Sequence, residues 1–287
     1  MTESSEGDVD SIEAIFDVVA STATDVRAGL VGRRVYESAE NPSGETQLAA
    51  DVYADELLES RLFELDIVGE YASEEREEVS AGDGRFHVAA DPLDGSSNLR
   101  SNNAMGTIVG IYEEPAPAPG DALVAATFVL YGPITTMVTA RDGRVTEFVI
   151  DENGHRDVVT EDLTLPDDPT VFGFGGRVPK WPDAFAEYVE TVEAELKLRY
   201  GGAMIADVNQ VLTYGGIFGY PSLLDRPEGK LRLQFEGHPI GYIVESAGGA
   251  SSNGTRSLLE CDPDTLHERT PVFVGNDEYI ERLEDTL

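Results

Sequence analysis

The run Ala89–Asn98, which reads AADPLDGSSN, constrains the fold of this chain more than any other segment. Pro92 fixes its own φ and disfavours the helical region for Asp91, so we expect both aspartates on a stiff turn after a short strand, with converging carboxylates. Gly95 lets the backbone approach a ligand closely, and the amides and hydroxyls that follow can donate to phosphate oxygens. Although turns favour several of these residue types, the ordered run predicts metal and phosphate ligands within one loop.

The charge of the chain excludes two classes of partner. Its 287 residues carry a formal net charge of −35, which argues against nucleic acid or an anionic membrane as a partner. Because the acids are interleaved with apolar segments, disorder accounts for at most about the first eight residues, and the acidity belongs to the surface. Only three of the 20 basic residues are lysines, which predicts a halophilic protein whose charge repulsion is screened by multimolar salt.

Composition also bears on compartment and cofactors. No stretch of eighteen apolar residues occurs, and the first ten residues are polar and acidic, so we expect a soluble cytoplasmic protein without a membrane span or secretory signal. The single cysteine, Cys261, cannot form an internal disulfide, and no Cys/His cluster accompanies it, which argues against a thiolate zinc site.

Apolar periodicity predicts two N-terminal helices, Val9–Leu30 and Thr46–Phe63, the second entered from a loop at Asn41–Gly44. The polar face of the second helix carries three acids: Asp51, Asp55 and Glu56. Later strands are expected at Phe86–Ala90, Gly106–Tyr112, Ala122–Leu130, Ile134–Ala140, Arg144–Ile150, Val171–Phe174 and Ile217–Tyr220. Later helices are expected at Pro182–Leu196, Ile205–Leu212 and Pro239–Ala247.

A polar, turn-rich stretch at Asp151–Asp168 is the best candidate for a domain boundary, which divides the chain into residues 1–160 and 161–287. Strands and helices mix without strict βαβ alternation. This pattern favours an α+β fold of layered sheets and helices over a doubly wound sheet.

Further charged residues can join the two aspartates. A turn at Glu74-Glu75 could present both carboxylates to one cation, although a charged surface run explains the same letters. Glu236 follows a strand-like stretch in which Lys230 and Arg232 share one face. A basic pair beside an acidic metal site suits an anionic substrate, and a solvated strand face is the alternative.

In their order along the chain, these segments resemble class I fructose-1,6-bisphosphatases, within the wider lithium-sensitive phosphatase superfamily. The likeness runs from about Ser43 to Gly254. Its most specific parts are Ser73–Glu75, Asp91–Asn98, Gly106–Tyr112, Leu123–Ala126, Leu130–Gly132, Arg199-Tyr200, Ala206-Asp207, Tyr214–Phe218, Tyr220-Pro221 and Gly229–Glu236. The resemblance implies a layered αβαβα sandwich, two or three Mg²⁺ per subunit and a homo-oligomer, usually a tetramer, with a dimer as the alternative.

The resemblance also implies site residues. Metal ligands would be Glu74, Glu75, Asp91, Asp94, Glu236 and the backbone carbonyl of Leu93, all oxygen donors as Mg²⁺ requires. Catalytic residues would be Asp51, Glu56 and Glu75, with the last two accepting the proton of the attacking water. Substrate contacts would come from Asp94, Gly95, Ser96, Ser97, Tyr200, Tyr220, Lys230 and Arg232, with Arg199 reaching into a neighbouring subunit's site.

The implied activity is hydrolysis of the 1-phosphate of fructose 1,6-bisphosphate in gluconeogenesis, without a nucleophilic side chain. Residues 1–160 would form the metal-binding catalytic domain, and residues 161–287 would bind the sugar phosphate. One departure concerns Gly175–Val178, where the family usually has Asn-Glu-Gly-Tyr. The alternatives are a related phosphatase acting on sedoheptulose 1,7-bisphosphate or an inositol monophosphate, and a non-catalytic acidic protein that binds cations.

Overall fold

The computed structural model describes residues 6–40 and 46–287. The expected loop Asn41–Gly44 and the first five residues lie outside the described ranges. Within them the α-helices are α1 Glu6–Gly29, α2 Ala49–Leu62, α3 Asp183–Glu193, α4 Met204–Tyr214, α5 His238–Ser246 and α6 Asp277–Thr286. None of these helices is long and apolar enough to span a bilayer.

The strands fall into two large sheets and two small ones. In chain order they are β1 Tyr36–Glu40, β2 Thr46–Leu48, β3 Val68–Ser73, β4 Ser80–Ala81, β5 Phe86–Asp94, β6 Met105–Tyr112, β7 Leu123–Tyr131, β8 Thr135–Arg141, β9 Arg144–Ile150, β10 Arg156–Thr160, β11 Val171–Phe174, β12 Lys197–Leu198, β13 Gly216–Tyr220, β14 Leu231–Arg232, β15 Ala250–Ser252, β16 Arg269–Thr270 and β17 Val272–Gly275. The first large sheet has the order β10-β9-β8-β7-β6-β5-β3-β4, and the second has the order β12-β11-β13-β17-β15. In the first sheet β3 and β5 are parallel, so their carboxyl ends meet at one edge.

Alternating side chains along the strands build five layers. In β6, Val109 packs in a core with α1 and α2, whereas Ile108 packs in a second core with α4 and α5. In β13, Phe218 joins that second core, whereas Ile217 packs in a third core with α3 and α6. The layers are therefore helices, the first sheet, helices, the second sheet and helices, which is the αβαβα sandwich expected from the sequence.

Three expected elements differ from the structure. Thr46–Leu48 is not helical but pairs antiparallel with β1, and α2 begins only at Ala49, because the Asp51 carboxylate accepts the Leu48 amide at 2.7 Å and caps the helix. The strand expected over Lys230–Phe235 ends at Arg232. A π-helix follows at Leu233–Gly237 and leads directly into α5.

The third difference concerns the aspartate run. Asp91 and Asp94 lie in β5 itself rather than on a turn beyond it, because the strand continues through a bulge: Asp91 pairs with Ile108 and Asp94 with Gly106, leaving one extra residue between them. Pro92 is accommodated there, since a residue in a bulge makes no regular ladder bond.

Candidate functional site

A cavity of about 210 Å³ collects most of the residues singled out from the sequence. The expected site residues that line it are Asp51, Glu74, Glu75, Asp91, Leu93, Asp94, Gly95, Ser96, Ser97, Tyr200, Tyr220, Lys230, Arg232 and Glu236. These residues lie in segments that flank the two large sheets, so the site is assembled only by tertiary folding.

The cavity is lined by a group of three buried carboxylates, Glu74, Asp91 and Glu236, which we call the acidic centre. Their ligand atoms lie within 4.8 Å of one another. Glu74 directly follows β3 and Asp91 lies near the end of the parallel strand β5, so the shared sheet edge brings them together. Glu236 reaches the same point from the π-helix.

A single guanidinium lies against the acidic centre. Arg232 Nη1 is 2.6 Å from Glu74 Oε1, and the Arg232 amide donates to Glu236 Oε2 at 2.6 Å. Burial raises the pKa of Asp91 and of Glu236 well above their usual range, and the charge of Glu74 raises both further. Buried carboxylate oxygens that converge and repel one another are the donor set that a hard divalent cation stabilises, so the residues present fit Mg²⁺.

Asp94 and Glu75 flank the acidic centre. Asp94 Oδ2 accepts the Ile205 amide from the first turn of α4 at 2.8 Å, and burial raises the pKa of Asp94 to about 6. Glu75 is half-buried, and its amide is held by the hydroxyl of Ser73 at 3.2 Å. The expectation that both residues face the same cavity as Asp91 therefore agrees with the structure.

The backbone of the loop that follows Asp94 can come close to a ligand. Gly95 has φ of +72°, and a Cβ atom there would lie 2.2 Å from the Cβ of Ala203, so only glycine fits. Ser96 is half-buried and Ser97 exposed at the start of a 3₁₀ helix. Asn98 ends the run whose amides and hydroxyls were expected to donate to phosphate, but it is not among the lining residues: its side chain is buried and holds two backbone carbonyls.

The same cavity is also lined by aromatic rings and a lysine. Lys230 Nζ lies 5.5 Å from the centre of the Tyr220 ring, and Tyr200 stands beside them with a pKa raised to about 12, chiefly by burial. Arg232 was expected to act with Lys230. It lines the same cavity as Lys230, and its guanidinium contacts Glu74, which gives the buried cation a carboxylate partner.

Two expected residues do not reach the cavity of the described chain. Glu56 is exposed on α2 and is not among the lining residues, whereas Asp51 and Asp55, one helical turn apart, are buried. Asp55 accepts a bond from the Tyr71 hydroxyl at 3.0 Å. Arg199 is exposed, lies 5.7 Å from the Tyr214 ring and donates to Gln210 at 3.4 Å.

The structure adds one acid to the cavity wall. Asp207, in the first turn of α4, is buried, and burial raises its pKa to about 6. Its Oδ1 accepts the Gly201 amide at 2.6 Å. In the sequence Asp207 stands only within the motif Ala206-Asp207; an acid on the apolar face of a short helix is the signal that could have identified it.

Comparison with known proteins gives two family matches that together span almost the whole chain. The model described as "Fructose-1-6-bisphosphatase, N-terminal domain" matches residues 7–160, and the one described as "Fructose-1-6-bisphosphatase, C-terminal domain" matches residues 165–287.

Similar proteins carry the corresponding name. The chain is 75% identical over 280 residues to "Fructose-1,6-bisphosphatase class 1" of Natronomonas pharaonis, covering 97% of this chain and 99% of the relative. It is 60% identical to "Fructose-1,6-bisphosphatase class 1 1" of Haloarcula marismortui, covering 96% and 95%. The crystal structure of Leishmania major fructose-1,6-bisphosphatase in holo form superposes with a TM-score of 0.91 at 28% identity, covering 99% of this chain and 95% of that one.

Proposed function

The chain belongs to the class 1 fructose-1,6-bisphosphatase family, and from this premise we propose that it hydrolyses the 1-phosphate of fructose 1,6-bisphosphate to give fructose 6-phosphate and phosphate. One observation carries the proposal: a single cavity is lined both by buried carboxylates that converge on one point and by a lysine with two tyrosines. A substrate with two phosphates on one sugar matches a cavity that offers a cation site and a separate basic side chain. The activity belongs to carbohydrate metabolism, and we assign it to gluconeogenesis.

Glu74, Asp91 and Glu236 would hold Mg²⁺, joined by Glu75, Asp94 and the Leu93 carbonyl, with two or three ions per subunit. When bound, these ions would acidify water and neutralise charge on the phosphoryl group and its leaving oxygen. The fit rests on the all-oxygen donor set and on the raised pKa of the buried carboxyl groups.

The chain's own residues orient the substrate and accept the proton. The backbone at Gly95 and Ser96 lines the cavity beside the acidic centre, where amides can donate to the 1-phosphate. Lys230 would neutralise the 6-phosphate, with Tyr200 and Tyr220 as hydroxyl donors.

Proton transfer falls to carboxylates that line the cavity. Asp51 is buried and held at the start of α2, and Glu75 is half-buried beyond β3, so either can accept the proton of the attacking water. Glu56, which is exposed, is not included in this proposal.

We assign the catalytic carboxylates mainly to residues 1–160 and the sugar-phosphate contacts to residues 161–287, with Glu236 of the second part completing the acidic centre. Arg199 is exposed, so another subunit can reach its guanidinium, and we propose a homotetramer, with a dimer as the alternative. We place the enzyme in the cytoplasm of a cell that accumulates salt, on the basis of its net charge of −35.

The test measures phosphate release in molar KCl, with and without Mg²⁺, from fructose 1,6-bisphosphate, sedoheptulose 1,7-bisphosphate and an inositol monophosphate. We expect Mg²⁺-dependent release with the highest kcat/KM for the fructose substrate. A higher kcat/KM for either competitor would reassign the substrate. No release from any of them under any salt condition would favour a non-catalytic cation-binding protein.

A further inference from the structure

Two buried polar side chains outside the predicted ligand set hold Gly201, the residue between two residues that line the cavity. Asn98 Nδ2 donates to the carbonyl of Gly201 at 2.9 Å, and Asp207 Oδ1 accepts the amide of the same residue at 2.6 Å. Both side chains are buried, with 8% and 2% of their surface exposed. Gly201 is therefore fixed from both sides.

Tyr200, which directly precedes Gly201, is one of the sugar contacts proposed above. Tyr200 and Gly202 line the cavity, so the position of this segment decides where the Tyr200 hydroxyl lies. The second bond of Asn98, to the Ala104 carbonyl at 2.9 Å, ties the same side chain to the chain just before β6. Because β6 lies in the centre of the first sheet, Asn98 anchors the segment that carries Tyr200 to a rigid part of the fold.

Two further contacts join the same segments without involving Asn98. Gly95 approaches Ala203 so closely that no Cβ atom fits between them, and Asp94 Oδ2 accepts the Ile205 amide at 2.8 Å. Three contacts thus join the end of β5 and its following loop to the segment that leads into the first turn of α4. Removing the Asn98 contact alone should make the position of Tyr200 less fixed and leave the acidic centre in place.

We infer that Asn98 and Asp207 are positioning residues, which hold Gly201 between them and so fix Tyr200 for binding of the sugar phosphate. This inference rests on the proposed function. It assigns neither residue a contact with the substrate, and it predicts an effect on affinity for the sugar rather than on the hydrolytic step.

The first variants are Asn98→Ala and Asp207→Ala. Losing the buried hydrogen bond to Gly201 should raise the KM for fructose 1,6-bisphosphate and the inhibition constant of fructose 6-phosphate about five- to tenfold each. The kcat and the inhibition constant of inorganic phosphate should stay within about twofold, because the acidic centre is unchanged. Asp183→Asn, an exposed acid in the first turn of α3, is the matched control.

Asp207→Asn separates positioning from charge. Asparagine retains an oxygen that accepts the Gly201 amide, so this variant should restore a KM within about twofold of the wild type. If Asp207→Asn behaves like Asp207→Ala, the carboxylate acts through its charge and the assignment of Asp207 is wrong. This pair also serves if Asn98→Ala does not fold.

The remaining outcomes are equally decisive. The inference would be overturned if kcat falls without a change in KM. It would also be overturned if the inhibition constants of inorganic phosphate and fructose 6-phosphate rise by the same factor. Wild-type enzyme is assayed first: if it releases no phosphate from fructose 1,6-bisphosphate, the proposed function fails, whereas active wild type with unaffected variants removes only this inference.

Discussion

Acidic residues occur in two contrasting regions of this molecule. On the surface, exposed carboxylates such as Glu56 and Asp157 lie in water, where salt screens their repulsion. In the acidic centre, Glu74, Asp91 and Glu236 are buried within 4.8 Å of one another, where burial raises the pKa of two of them. The same residue types are thus solvated in one region and buried in mutual repulsion in the other, because the surroundings differ.

The largest effect is expected from a variant that disrupts the acidic centre. Asp91→Asn removes a carboxylate from the proposed cation site, and kcat should fall about a thousandfold or more. The Mg²⁺-free protein should lose no stability, since the substitution removes repulsion by Glu74 and Glu236. Steady-state kinetics and thermal unfolding in EDTA measure the two effects.

Asp157→Asn is the matched control for this experiment, because Asp157 is an exposed strand aspartate in β10. Its kcat should stay within about twofold of the wild type. An Asp91→Asn enzyme with near-normal turnover would show that the acidic centre is not the catalytic site.

The next effect concerns the surface. Raising KCl from about 0.1 M to 1 M shortens the screening length from about 10 Å to 3 Å, so repulsion within a chain of net charge −35 should weaken strongly. We expect unfolding free energy to rise by about 3 kcal/mol, or the Tm by roughly 5 °C.

The control for the salt experiment is an uncharged osmolyte at equal osmolality, which should reproduce only a small part of the increase. Full stability of the protein in dilute buffer would contradict the assignment of the acidic surface to salt adaptation.

The third effect is pH-dependent and tests burial of a single acid. Burial raises the pKa of Asp207 to about 6, above the value of about 3.9 in an unfolded chain, so its contribution to stability is present below pH 4 and is lost as pH rises through 6. The loss amounts to about 2 to 3 kcal/mol.

Asp207→Asn cannot ionise and should lack this loss. The difference in unfolding free energy between variant and wild type, measured by urea in molar KCl with EDTA, should therefore grow in the variant's favour from pH 4 to pH 7. The exposed control Asp183→Asn should show no such trend. A difference for Asp207→Asn that is independent of pH would mean that this carboxyl group titrates normally.

The contrast between buried and exposed acids also explains what the sequence could predict. Short apolar runs bounded by turn residues located the central strands, and the bounds of β9, Arg144–Ile150, match the expectation fully. The bulge at Pro92 and the π-helix before α5 could not be predicted, since tertiary contacts rather than local pattern decide them.

The candidate site shows the same limit. The ordered motifs identified the residues of the acidic centre, whereas the partner of Arg232 and the structural role of Asn98 depend on segments distant in sequence. Helical periodicity separates apolar from polar positions, but it cannot tell a buried acid from a solvated one.

The smallest expected effect isolates this last point on one helix. Asp51 is buried against the cavity and Glu56 is exposed, five residues further along α2 and therefore on another face. Glu56→Gln should change kcat/KM by less than about twofold, because a solvated side chain outside the cavity contacts no reacting group. Asp51→Asn keeps an acceptor for the Leu48 amide but cannot take a proton, so kcat should fall at least about tenfold. A large loss in Glu56→Gln, with Asp51→Asn near normal, would mean that α2 presents its other face to the substrate during turnover.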